Sequence, residues 1–154
     1  MMSARKITLT PAELLPHKPP MMLLTSCGEE TENSVTAQCI IGPQCRLFRL
    51  PGGRYGTWIT IELMAQTVGL YAGLKNRRAG SAPRIGFLLG TRRLSVHGGD
   101  LSEGDVVDIS ARCVFYADSG LPSQFECHAS IAGREIAAAN LTVYQPNSID
   151  EWKN

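Results

Sequence analysis

The 154 residues carry 15 Lys and Arg against 14 Asp and Glu, a formal net charge of +1, with 44% hydrophobic and 19% charged residues. That is the composition of an ordinary globular chain, long enough for one substantial core and too short for two comfortable ones. The charge balance gives no general pull toward nucleic acid, and no apolar run approaches the ~20 residues of a membrane span.

From the N-terminus, Met1 to Pro11 has neither a long apolar core nor a small-residue cleavage site, so it does not read as a signal peptide. Thr10 and Pro11 open one short helical turn, as N-cap and first helical residue, which ends by Pro16. Prolines 16, 19 and 20 then force an extended path into a strand over Met21 to Gly28. After a polar turn from Glu29 to Ser34, a second strand over Val35 to Ile41 completes a hairpin. Gly42-Pro43 ends it, and Pro51, Gly52, Gly53 and Gly56 mark an irregular loop.

Thr57 is placed to cap a helix over Trp58 to Leu74, with Lys75, Arg77 and Arg78 beyond its C-terminal end, where cations complement the helix dipole. Its faces are apolar almost all round, so the rest of the fold has to enclose it. Four strand-like segments follow: Arg84 to Val96, Val106 to Ala117, Gln124 to Ala132 and Glu135 to Tyr144. Meander-like turns at Gly98 to Asp100, Glu103 to Asp105, Asp118 to Gly120 and Ala132-Gly133 separate them. A polar, loose tail is expected over 146–154. An antiparallel sheet curled around one long central helix satisfies all these elements. This α+β arrangement is the hotdog fold, expected as a single domain over 1–154 with its core at about 14–144.

Glu62 is the only charged residue between Arg54 and Lys75. A carboxylate in an enclosed helix costs several kcal/mol to bury unless it is hydrogen-bonded, paired or protonated. Either a neighbouring hydroxyl or backbone group satisfies it, or it is kept for chemistry. The five cysteines are odd in number and contain no C-x-x-C pair, which points to neither a disulfide frame nor a zinc site and fits a reducing, cytoplasmic setting. No metal or organic cofactor is expected, because the histidines and cysteines lack ligand spacing.

Leu15-Pro-His-Lys-Pro-Pro-Met-Met-Leu-Leu24 is similar to the L-P-H-x-x-P-x-L-L opening of the beta-hydroxyacyl-(acyl-carrier-protein) dehydratases. Ile61-Glu-Leu-Met-Ala-Gln66 resembles their I-E-A-M-A-Q helix, and Ser102-Glu-Gly-Asp105 sits where they have V-x-P-G-D. Three motifs in order, spanning roughly residues 14 to 144, make a fairly specific signal. The family pairs its helix acid with a histidine fourteen positions earlier in a G-H-F-P loop, and that position here is Phe48. A narrower branch resembles the chain better: small dehydratase-like hotdog proteins of aryl polyene and related polyketide-like lipid pathways. It shares Leu15-Pro-His-x-Pro-Pro-Met, Trp58, Glu62-Leu-Met-Ala-Gln66 and Gly86-Phe-Leu-Leu-Gly-Thr-Arg92.

The resemblance implies dehydration of a beta-hydroxyacyl thioester held on an acyl carrier protein, with Glu62 as one catalytic group and His17 standing in for the loop histidine. Imidazole suits a base near neutral pH, and a carboxyl group in an apolar slot suits an acid. The N–H groups around Gly56, Thr57 and Trp58, at the start of the helix, offer a place for the thioester oxygen. Gln66, one turn after Glu62, faces the same side and is a candidate to orient the carboxyl or the substrate. Blander roles exist for each: His17 pinning the N-terminal turn, Gln66 satisfied in the core, and Trp58 packing at the helix start. A hotdog thioesterase and a non-catalytic acyl-binding subunit are the competing functions. A homodimer or larger assembly is expected, or a hetero-oligomer with another hotdog subunit.

Overall fold

The computed structural model describes residues 3–80, 86–117 and 122–145. Within them lie strand β1 (Arg5–Lys6), helix α1 (Pro11–Leu14), strands β2 (Ser26–Glu30) and β3 (Ser34–Ile40), a 3-10 turn (Pro43–Phe48) and helix α2 (Ile59–Arg78). Strands β4 (Phe87–Val96), β5 (Val106–Phe115), β6 (Ser123–Ile131) and β7 (Arg134–Tyr144) follow. All seven strands join one antiparallel sheet in the order β1-β2-β3-β5-β6-β7-β4, curled around α2 in the hotdog arrangement. No helix among the described residues is long and apolar enough to cross a membrane.

The period of two in β3 buries Val35, Ala37 and Cys39 against α2 and turns Thr36, Gln38 and Ile40 outward. Opposite them, Ala111, Ile109 and Val107 of β5 complete the inward row. From α2, Ile59, Leu63, Met64 and Leu70 are fully buried in the same core. Each such side chain contributes roughly 1.5–3 kcal/mol by leaving water.

Several boundaries differ from those the sequence suggests. The hairpin forms, but Met21 to Thr25 stay outside β2: Thr25 still donates to the Gln38 carbonyl of β3, whereas the Met21 carbonyl and Leu23 N–H are taken by the Gln66 side chain. The meander holds for β5-β6-β7 only; β4 crosses over to pair with β7 and becomes the sheet edge. Thr57 does not cap α2. Trp58 occupies the N-cap position in helical geometry without a side-chain cap bond, and the Ile59, Thr60 and Ile61 N–H groups are taken by the carbonyls of Gly56, Thr57 and Trp58 in a tight first turn. The helix also continues beyond Leu74 to Arg78, so Lys75, Arg77 and Arg78 form its last turn. The short β1 and the 3-10 turn carry no periodicity long enough to read. The expected turn at 118–120, the beginning of the Arg84 strand and the tail at 146–154 lie outside the described residues.

Candidate active site

Glu62 stands in the first turn of α2, half-buried. One turn further on, Gln66 is 1% exposed and makes three hydrogen bonds. Its Oε1 accepts from the Leu23 N–H at 3.1 Å, and its Nε2 donates to the Met21 carbonyl at 2.7 Å and to Glu62 Oε1 at 3.1 Å. The Leu23 N–H and Met21 carbonyl fix which end of the amide is which. Glu62 Oε1 is therefore an acceptor, and a proton carried by this carboxyl sits on Oε2. These bonds also explain why Met21 to Leu23 do not join the sheet: a helix side chain has taken their backbone groups.

His17 reaches the same region from the end of α1. The Glu13 carboxylate accepts from the Thr10 N–H and hydroxyl, which starts α1 and holds the Glu13 carboxyl below its usual range. The end of α1 then lies directly on α2. A Cβ added at Gly73 would fall 2.3 Å from the Leu14 carbonyl oxygen, and one at Gly69 would fall 2.7 Å from the Leu15 side chain. At Gly73, where the close neighbour is backbone, only glycine permits that approach, and it carries the chain from Leu14 and Leu15 into Pro16 and His17 beside α2. The His17 Nδ1 atom is buried without a hydrogen-bond partner. A buried imidazole nitrogen left open in this way is available to a ligand.

His17 and Glu62 line one cavity of about 370 Å³. It exists because α2 packs mainly on β3 and β5, leaving room between the helix and the β6-β7-β4 end of the sheet. Ala65, Val68, Gly69, Ala72 and Gly73 of α2 form one wall, Phe125, Val143 and Leu88 another, and Lys75, Asn76, Tyr116, Ser123 and Gln145 gather at the C-terminal end of the helix. The volume is that of a small-molecule site. Sequence reading had not marked these wall residues. Small residues at 65, 69, 72 and 73 repeat on one helix face, and that spacing was the available signal.

Gly56, Thr57 and Trp58 do not line this cavity. Among the described residues no acceptor lies within reach of the Thr57 and Trp58 N–H groups, so those donors remain open at the start of α2. Trp58 is 49% exposed, and its ring folds over Gly56, where an added Cβ would meet it at 1.8 Å. It also faces Phe48 at 6.3 Å between ring centroids, and the Phe48 carbonyl accepts from the Gly56 N–H. Phe48 thus holds the loop before α2 by packing, in the position where the resemblance places a histidine.

His128, on the outer face of the sheet, is bound by the Glu135 and Glu126 carboxylates, and these bonds raise its pKa above the ordinary 6.5. It stands apart from the cavity. No cluster of three or more His, Cys, Asp or Glu side chains among the described residues is arranged to hold a metal ion.

The family model described as ApeP-like, ApeP dehydratase, matches residues 9–154. A chain of the dehydratase heterocomplex ApeI:P from Xenorhabdus doucetiae superimposes with a TM-score of 0.87 and 27% identity, over 96% of this chain and 97% of that one. A hypothetical thioesterase from Streptococcus pneumoniae, solved with coenzyme A, gives 0.53 at 16% identity over 74% and 82% of the two chains. PaaI of the Escherichia coli phenylacetic acid degradation operon gives 0.57 at 7% identity, over 78% and 81%. The last two share the fold alone. No curated protein sequence matches the chain. The chain belongs to the ApeP-like dehydratase family.

Proposed function

We propose that the chain dehydrates beta-hydroxyacyl thioesters on an acyl carrier protein to trans-2-enoyl thioesters, in the biosynthesis of fatty acid or polyene-type lipids in the cytoplasm. His17 takes the α proton through its open nitrogen. The electron pair of that C–H bond forms the new double bond, and the β C–O bond breaks as Glu62 delivers a proton from Oε2, so that the hydroxyl leaves as water. Gln66 holds Oε1 and leaves Oε2 directed to substrate. Return of a proton from His17 to Glu62 resets the pair. The open N–H groups of Thr57 and Trp58, outside the cavity at the start of α2, are the donors we assign to the thioester oxygen of a chain that enters past them.

What supports the reading is that an imidazole with an unpartnered nitrogen and a carboxyl group with one oriented oxygen line the same cavity of one chain. In this reading the pair acts within one subunit, which assembles with a copy of itself or with another hotdog subunit.

The test is to incubate the purified protein with a beta-hydroxyacyl carrier-protein thioester and follow its mass. Loss of water is expected, with Glu62→Gln and His17→Ala each lowering the rate by orders of magnitude while the fold is retained. Release of free acid would instead make the protein a thioesterase. No turnover by the folded assembly, with activity in its partner alone, would make it a binding subunit.

A further inference from the structure

The cavity ends in chemistry that the dehydration step does not use. Among the described residues, Lys75 is the only lysine or arginine that lines it. Among the described residues Lys75 has no ion pair; its ammonium lies 4.7 Å from the centroid of the Tyr116 ring and 5.4 Å from that of Tyr71. Burial, with Cys113 nearby, holds the Tyr71 hydroxyl protonated well above the usual range, so this ring presents no phenolate to the cation. Aromatic faces compensate a partly desolvated ammonium less fully than an oxygen acceptor does.

The placement is specific. Lys75 follows Glu62 by thirteen residues on one helix, roughly 20 Å along the axis at 1.5 Å per residue. Between them the helix wall of the cavity is Ala65, Val68, Gly69, Ala72 and Gly73, with no polar side chain. Polar groups return only at the far end, where Asn76 Nδ2 donates to Gln145 Oε1 and Ser123 Oγ accepts from the Ala117 N–H. An acyl chain held by its thioester near Glu62 runs along an apolar wall and ends at a cation.

We propose that Lys75 is a specificity-determining residue, selecting acyl chains that carry an oxygen acceptor, a hydroxyl or carboxylate, at the end remote from the thioester. The proposal rests on the dehydratase reading of His17 and Glu62. A methyl-ended chain leaves the ammonium with its aromatic partners only; an oxygen-ended chain of matching length supplies the missing acceptor.

The experiment compares kcat/KM for beta-hydroxyacyl carrier-protein thioesters of graded length, ending in methyl or in ω-hydroxyl, across wild type, Lys75→Met, Lys75→Arg and Arg77→Gln. Arg77 is exposed on the same helix end and does not line the cavity, so it controls for the change in charge. Wild type is expected to favour the ω-hydroxyl chain about tenfold, the scale of one hydrogen bond to a charged group. Lys75→Met brings the ratio close to one, while Lys75→Arg and Arg77→Gln keep it. Absence of a preference in wild type, or its survival in Lys75→Met, overturns the proposal. If neither series is dehydrated, the reaction assignment fails on its own; calorimetric affinities for the free ω-hydroxy and methyl-ended acids then decide the subsite. Selective loss of ω-hydroxy acid affinity in Lys75→Met supports it, and equal affinities in wild type overturn it.

Discussion

Gln66 joins the two halves of the site through one amide. Replacing it with Leu leaves the Leu23 N–H and Met21 carbonyl without partners and frees Glu62 Oε1. Each unsatisfied buried group costs about 1–3 kcal/mol, so Gln66→Leu is expected to lower stability by about 2–4 kcal/mol in a thermal melt. Turnover should fall further than the loss of folded protein explains, because the carboxyl is no longer aimed. Equal losses in stability and rate would reduce Gln66 to a structural role. The one-turn spacing of Glu62 and Gln66 made their neighbourhood legible in the sequence. The bond to a segment more than forty residues earlier was not, since nothing local to Met21 or Leu23 announces a helix glutamine as partner.

His128 supplies a pH test away from the site. Its two carboxylate partners raise its pKa in the folded state, so it contributes stability that is fully present below its ordinary value of 6.5 and is lost as pH rises through the folded value. His128→Gln should therefore narrow the stability difference between low and high pH, destabilising the protein at pH below about 6 and leaving it unchanged near pH 9. Denaturant melts at the two pH values check this; a constant difference at both would remove the histidine from the balance.

At the scale of elements, the decisive contact is α1 on α2. Both helices are legible in the sequence, including Thr10 and Pro11 at the start of α1, yet Gly69 and Gly73 read only as small residues in an apolar run. Their reason is the partner: the Leu14 backbone lies where a Gly73 Cβ would be. Gly73→Ala must push α1 outward, and because the nearest atom is backbone the shift carries Pro16 and His17 with it. We expect a loss of about 1–3 kcal/mol in stability and a fall in kcat larger than the rise in KM, measured on the same thioester. Unchanged kinetics would mean that His17 is positioned by something other than this packing. Limits to legibility here have a common cause. The tight first turn of α2, the 3-10 turn that carries Phe48, and the short β1 are set by tertiary contacts rather than by propensity.

For the whole molecule, the strand order matters most. The hydrophobic pattern identified six strands but could not tell that β4 would leave its neighbour in sequence and pair with β7, because pairing partners are not encoded in periodicity. The consequence is an edge strand whose Leu88, Leu89, Leu94 and Val96 are all exposed. Exposed edges with large apolar side chains invite pairing with another chain. Gly86 and Leu88 also line the cavity, so a subunit added at β4 would lie beside the acyl site. The expected interface is therefore β4 against another hotdog subunit, with the sheets continuing from one subunit to the next. Leu94→Lys places a charge on that edge without opening the core, since Leu94 is already 43% exposed. Light scattering should show the assembly dissociating while circular dichroism of the variant stays that of a folded chain. An assembly of unchanged mass would move the interface to another face of the molecule, and with it the neighbour of the acyl site.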